Sequence, residues 1–406
     1  MAKEKLICGL DIGNAKVRTV VAQRGENGKP NVIGMGVSPT VGLRKGGVID
    51  VEELINSLTA SVEDAERMCG EHITSAFVSV DGHHVKSLSS HGVIAIAHNE
   101  IREDDVDRAI DAAQALAMPQ NNRILRIIPR SFTVDDQEGI KDPVGMIGTR
   151  LEVDAHIVIG STPQIKNLEK CVHEAGIGID ALIPAHLAAA EAVLGRRQKE
   201  LGVVVVDIGA DSTSIAVFEE GTPIHTATVP VGGNNVTNDI AIGLRTSIDT
   251  AEKIKIEFGS TQPNSVSKRE QIDLAEISQL DRHTISKYQL SAIIEARVYE
   301  IFTMVRDELR KINRDGLLPA GAVLTGGSVK IPGIVDLARE TLNLPVQIGF
   351  PTDIEGVVDQ IDDPAYATAL GLILWATRYN IPPAKLQITG AFGFLRDFIK
   401  SLLPHS

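Results

Sequence analysis

Four consecutive valines, Val203–Val204–Val205–Val206, run straight into Asp207–Ile208–Gly209–Ala210–Asp211–Ser212–Thr213, and this stretch constrains the chain more than any other. An unbroken β-branched run reads as a strand buried on both faces, with a second strand over Thr213–Glu219. The turn between them can approach an anion closely. Gly209 removes a side chain, the backbone amides and the hydroxyls of Ser212 and Thr213 can donate to phosphate oxygens, and Asp207 at the strand end can hold hydrated magnesium. Taken alone, the stretch fits a plain tight hairpin equally well.

A second copy lies near the start. Leu6–Ile7–Cys8–Gly9–Leu10–Asp11–Ile12–Gly13–Asn14–Ala15–Lys16 repeats the order of apolar strand, Asp-Ile-Gly and short polar turn, followed by a strand Val17–Gln23. In each copy a loop, Arg24–Pro30 or Glu220–Thr222, leads to a third strand, Val32–Val37 or Ile224–Val229. This is an internal duplication. Two such hairpins facing one another would place Asp11 and Asp207 on either side of one cleft, as a clamp for a triphosphate and its metal.

The 406 residues suffice for two or more domains, and the formal charge of −13 with no basic stripe argues against a nucleic-acid partner. Cys8, Cys69 and Cys171 are isolated, lack metal-ligand spacing and suggest a reducing setting. The charged Met1–Lys5 leads into a strand rather than a signal peptide, and no apolar run approaches the roughly 20 residues of a spanning helix.

Between the repeats, helical spacing from Val51 to Ala65 with Asp50 as N-cap predicts a helix, and Ile73–Val80 a strand. From His83 the pattern changes to a β/α insert: a strand Gly92–Ala97, an acidic helix start at Glu103–Asp105 continuing to Leu116, strands Arg123–Ile128, Arg130–Asp136 and Arg150–Ile159, and a loop Gln137–Gly148. The acidic run reads as a solvated helix N-terminus. A helix Ser161–Ala175, a strand Ile177–Ile183 and an alanine-rich helix Pro184–Leu194 suited to close packing follow. Beyond the second repeat come helices over Val236–Leu244, Thr250–Phe258 and Leu290–Asn313, with a polar loop Gly259–Leu280 before the last. Ala322–Val323–Leu324–Thr325–Gly326–Gly327–Ser328 is a third informative turn, whose paired glycines leave room for a flat group such as an adenine base; a simple β-α turn before the helix Ile334–Leu342 fits as well.

The order of Asp-Ile-Gly turn, alanine-rich helix, Asp-Ile-Gly turn and Gly-Gly turn resembles the actin–Hsp70–sugar kinase superfamily. Within it, Ile128–Pro129 and Gln137–Glu138–Gly139–Ile140–Lys141–Asp142–Pro143–Val144–Gly145 resemble the inserted subdomain of the FtsA family, which replaces actin's subdomain 1B. The resemblance runs from Leu6 to the last helix. It implies an α/β actin-like ATPase fold, two duplicated RNase H-like domains around a nucleotide cleft. Residues 1–83, 163–200 and 360–378 would form subdomain 1A, 84–162 the insert, 201–235 and 314–359 subdomain 2A, 236–313 subdomain 2B, and 379–391 a linker.

The same resemblance implies ATP and Mg2+ as cofactors. Asp11, Gly13, Asn14, Ala15 and Lys16 correspond to the first phosphate loop, and Asp207, Gly209, Asp211 and Ser212 to the second. Asp11 and Asp207 would act through magnesium and water. Glu252 and Lys255 match residues that approach the ribose, and Gly326, Gly327 and Ser328 the adenosine turn. Two departures stand out. The superfamily's Asp-x-Gly-Gly-Gly-Thr becomes Ala210–Asp211, placing an extra carboxylate beside phosphates. The Glu-Pro that Hsp70-like members carry before three alanines aligns with Ala185–His186, so the residue that polarises water is missing there, which implies slow hydrolysis; His186 could substitute for it, but reads more simply as a helix-packing histidine.

At the C-terminus, residues 392–406 form an amphipathic pattern in which Phe394, Leu395, Phe398, Ile399, Leu402 and Leu403 fill one half of a helix surface, with Arg396 and Lys400 flanking it. The helix either docks on its own protein or lies in a membrane interface, and the proline-bearing linker and the family resemblance favour the membrane. Six side chains at roughly 1.5–3 kcal/mol each give a gross gain of about 9–18 kcal/mol, reduced by the cost of ordering the helix, so one helix binds weakly and a filament binds tightly.

The resemblance thus implies a membrane-tethered, filament-forming ATP-binding protein at the cytoplasmic face of the cell membrane. Its expected partners are FtsZ, met around Val236–Asn313, itself, and later division proteins through the insert. The competing readings are an FtsA-related pilus-assembly ATPase and a small-molecule kinase; no clear catalytic carboxylate for the latter stands out.

Overall fold

A computed structural model describes residues 6–25, 27–116, 119–277, 283–356 and 361–378. The expected linker and terminal helix lie outside these residues.

The duplication is carried into hydrogen-bonded topology. In the first lobe, Ile7–Ile12 pairs antiparallel with Lys16–Arg24 and parallel with Ser75–Val80; in the second, Val203–Ile208 pairs antiparallel with Thr213–Glu219 and parallel with Ala322–Thr325. The first sheet runs Gly178–Pro184, Ser75–Val80, Ile7–Ile12, Lys16–Arg24, Pro30–Pro39, Glu355–Gly356. The second runs Thr222–Val229, Thr213–Glu219, Val203–Ile208, Ala322–Thr325, Val346–Ile348. Each lobe therefore places its Asp-Ile-Gly strand between a hairpin partner and a parallel neighbour.

All four valines are fully buried, and the two-residue period of a strand divides them between two cores. Val203 and Val205 pack with Leu187, Ala188 and the first lobe, whereas Val204 and Val206 pack with Ile240, Ile294 and Phe302 in the second. The helix Ala185–Val193 is buried along its whole length between the lobes. Its small residues admit the helix Ala367–Arg378 so closely that a Cβ on Gly371 would stand 1.8 Å from the Ala188 carbonyl oxygen.

Helix Val51–Cys69 begins as expected, with the Asp50 carboxylate accepting from the Glu53 N–H at 3.2 Å, and buries Leu54, Leu58, Val62 and Ala65. A short helix, Arg196–Leu201, follows the alanine-rich one and was not expected. The long helix spans Lys287–Lys311, capped by Ser286, and the polar segment contains a short strand, Gln271–Asp273, which pairs with Thr284–Ser286 ahead of the helix.

The insert is a four-stranded sheet in the order Lys86–Ala95, Arg150–Ser161, Asn122–Val134, Gln137–Ile140, covered by the helix Glu103–Leu116. Two expectations are corrected. The strands read as Arg123–Ile128 and Arg130–Asp136 are one strand, because Pro129 falls beside a register shift at Asp154/Ala155 and on a stretch whose other edge carries no strand. The loop Gln137–Gly148 begins with the strand Gln137–Ile140. Within the acidic run Asp105 is buried, accepting from the Arg102 N–H at 3.0 Å and pairing with Arg108 at 2.9 Å.

The insert also rests on the second lobe. The Ser87 hydroxyl donates to the Thr226 carbonyl at 2.7 Å and accepts from its N–H at 3.2 Å, and Lys141 Nζ donates to the Glu220 carbonyl at 2.8 Å. No described helix is long and apolar enough to cross a membrane.

Candidate functional site: the cleft between the lobes

The two Asp-Ile-Gly loops close in the same way. Gly13 N–H donates to the Lys16 carbonyl at 3.2 Å and Gly209 N–H to the Ser212 carbonyl at 2.9 Å, turning each chain tightly between its two strands. Both loops, with the third turn, line one cavity of about 400 Å³. Asp11, Gly13, Asn14, Ala15 and Lys16 form one wall, Asp207, Gly209 and Ser212 the other, and Glu252, Lys255, Gly326, Gly327 and Ser328 complete it. A larger depression of about 820 Å³, bordered by Lys253, Glu270 and Lys287, lies elsewhere on the second lobe and has neither glycine turns nor paired aspartates.

Burial shapes the acids. It raises the Asp11 carboxyl above its ordinary range, an effect that Arg18 at 3.8 Å and the Ser79 hydroxyl at 2.9 Å partly offset. Asp207 is pushed up to about 7, first by burial and then by the negative charges of Asp81 and Asp11, against a hydrogen bond from Thr368 Oγ1 at 3.2 Å. Four acids, Asp11, Asp81, Asp207 and Glu252, line the cleft, so it can receive a cation. Lys16, Lys255 and Lys330 also line it, so it can receive anions.

The paired glycines play different parts. Gly326 has φ of 92°, and a Cβ there would stand 2.3 Å from Asp207 Oδ1, so its bareness lets the third turn pack on the aspartate. Gly327 meets nothing nearer than the Ala365 Cβ at 4.0 Å and is the residue that leaves open space. Ser328 Oγ donates to the Gly209 carbonyl at 3.1 Å, tying the third turn to the second loop. Lys255 Nζ reaches Glu252 Oε2 at 2.6 Å and Thr237 Oγ1 at 2.8 Å, so the pair shares one helix face at the cavity edge.

Asp211 is placed differently from its neighbours: it is absent from the cavity lining, and its carboxylate accepts from Asn234 Nδ2 at 2.8 Å and the Lys45 N–H at 3.2 Å. Ala185 lines the cavity, while His186 is buried with neither ring nitrogen partnered among the described residues, and burial pushes it down to about 4. It is a packing residue, as expected.

Sequence reasoning missed Arg18, Asp81, Lys330 and Thr368 in the lining. Arg18 was accessible, because hairpin register sets it opposite Asp11. Asp81 follows a parallel strand's C-terminal end, a common place for ligand contacts, but its position depends on pairing between distant segments.

The architecture is the actin-like fold. Among solved structures it matches the "PilM-PilN type IV pilus biogenesis complex" with a TM-score of 0.66 at 17% identity, over 93% of this chain and 99% of that one. It also matches MreB5 of Spiroplasma citri bound to ADP with a TM-score of 0.52 at 15% identity, over 91% of this chain and 96% of that one.

Family models described as "Cell division protein FtsA" and "SHS2 domain inserted in FTSA" match residues 204–371 and 82–159. Cell division protein FtsA of Pseudomonas aeruginosa is 39% identical over 95% of this chain and 93% of its own length; that of Bacillus subtilis is 38% identical over 93% and 85%. The chain belongs to the FtsA family of cell division proteins.

Proposed function

We propose that the protein binds ATP with magnesium in the inter-lobe cleft and uses the nucleotide mainly as an assembly switch. The observation that carries this reading is the convergence of both glycine loops, two buried aspartates and Gly327 on one cavity. Asp11 and Asp207 present hard oxygen donors, one of them holding its proton to about pH 7 in the absence of a counter-charge, which suits a hydrated magnesium ion held through water. Magnesium would neutralise the phosphates between these acids. Gly13–Lys16 on one wall, with Gly209 and Ser212 on the other, would bind the phosphates, Glu252 and Lys255 would flank the ribose, and Gly327 and Ser328 the base. Ala185, where a water-polarising group would stand, has none to offer, so turnover is slow.

Nucleotide-bound subunits would polymerise, recruit FtsZ through the second lobe and later division proteins through the insert, and hold them at the cytoplasmic face of the membrane by the apolar half of residues 392–406. Titration calorimetry with ATP and magnesium tests the cleft: absence of binding rejects the reading. Liposome sedimentation of the full chain against one ending at Ala391 tests the anchor, for which equal sedimentation is fatal.

A further inference from the structure

The two lobes exchange hydrogen bonds in opposite directions beside the cavity. Asp211, from the second lobe, accepts from the backbone N–H of Lys45 in the first at 3.2 Å. Asp81, from the first lobe, accepts from the hydroxyls of Ser212 at 3.0 Å and Ser214 at 2.7 Å in the second. The two acids are themselves joined through one loop: a Cβ on Gly46, next to Lys45, would stand 2.3 Å from the Asp81 carbonyl oxygen, and the Gly46 N–H donates to Asn14 Oδ1 at 2.9 Å. The segment Lys45–Gly46 thus touches the first loop, the Asp81 corner and the second loop.

Register shows how Asp81 comes to be there. Leu10 pairs with Val78 and Val206 with Leu324, so Asp81 occupies in the first lobe the place that Gly327 occupies in the second. One lobe leaves open space at that position, and the other sends a carboxylate across.

We propose that Asp81 and Asp211 form a reciprocal clasp that holds the lobes together at the phosphate end of the cleft and sets the rate at which nucleotide leaves. Both are positioning residues. Ser212 is the shared element: its hydroxyl is held by Asp81 and is also one of the donors facing the cavity. A phosphate oxygen that takes this hydroxyl competes with Asp81, while the Asp211–Lys45 bond, which lies off the cavity lining, persists in either state. Loss of the Asp211 carboxylate removes a lobe-to-lobe bond without removing a group from the cavity lining, whereas loss of the Asp81 carboxylate removes such bonds together with one of the lining acids.

The proposal rests on the nucleotide reading, and the test separates the two. Hydrogen exchange at the Lys45 and Gly46 amides is measured on the nucleotide-free full chain, and release of fluorescent mant-ATP with magnesium is followed by stopped flow, for wild type, Asp211→Ala, Asp211→Asn and Asp81→Asn. Asp211→Ala is expected to speed Lys45 exchange and mant-ATP release about tenfold each, with Asp211→Asn intermediate and Asp81→Asn speeding release. Bound mant-ATP leaving all variants at the wild-type rate overturns the clasp. Should no form bind mant-ATP, the nucleotide reading fails, and unchanged Lys45 exchange in folded Asp211→Ala overturns the clasp separately.

Discussion

The carboxyl groups of Asp11 and Asp207 line one cavity from opposite lobes, and after burial and Asp81, the charge of Asp11 helps to hold a proton on Asp207 up to about pH 7. The sign of the consequence follows from linkage. A carboxyl whose folded pKa is raised contributes stability that is full below its unfolded value near 3.8 and lost as pH rises through about 7. The nucleotide-free protein is therefore expected to lose thermal stability between about pH 4 and pH 7, by roughly 4 kcal/mol at most, and Asp207→Asn to flatten that slope. Melting curves across this range check it; a wild-type slope identical to that of the variant overturns it.

Magnesium reverses the balance. Because a cation favours the ionised form, Mg-ATP affinity is expected to rise about tenfold from pH 6 to pH 8, with proton release in calorimetry. Affinity independent of pH, or proton uptake, contradicts the assignment of Asp207 to the cation.

The two glycines of the third turn separate stability from binding. Gly326→Ala would place a Cβ against Asp207 at a φ of 92° and is expected to cost on the order of 2 kcal/mol or more in unfolding free energy. Gly327→Ala has room within the fold and is expected to melt near wild type while weakening ATP about tenfold. Denaturant titration and calorimetry on both variants distinguish the roles.

Glu191 is buried, yet Lys199 at 2.6 Å and Arg378 hold its carboxyl below the ordinary range against the opposing effect of burial. Glu191→Ala would strand two cations and is expected to cost about 3–5 kcal/mol. The depressed value also means that this contribution, present above the unfolded pKa, disappears as pH falls through the folded one. Urea unfolding at pH 7 and below pH 4 should show the wild-type advantage shrinking in acid.

The fold was largely legible because its signals repeat. Two Asp-Ile-Gly turns at matching places in two strand orders define two lobes, and the valine run declares a strand buried on both sides. The features that escaped depend on pairing between distant segments. Asp81 becomes a cavity residue through the register of Ser75–Val80 against Ile7–Ile12, which no local pattern encodes. Asp211 is legible as a departure from the superfamily, but its bond to Lys45 is not, because Lys45 lies in a loop with no signature of its own. Pro129 was read as a strand break because its missing N–H is harmless only beside an open edge, and the edge is visible only once the sheet order is known.

The near-contact of Gly371 with Ala188, reinforced by the ion pair of Arg378 with Glu191, has a mechanical consequence. The final described helix is thereby fixed to Ala185–Val193, whose first residue borders the cleft. The end of the described chain and the wall of the cavity thus belong to one packed helix pair.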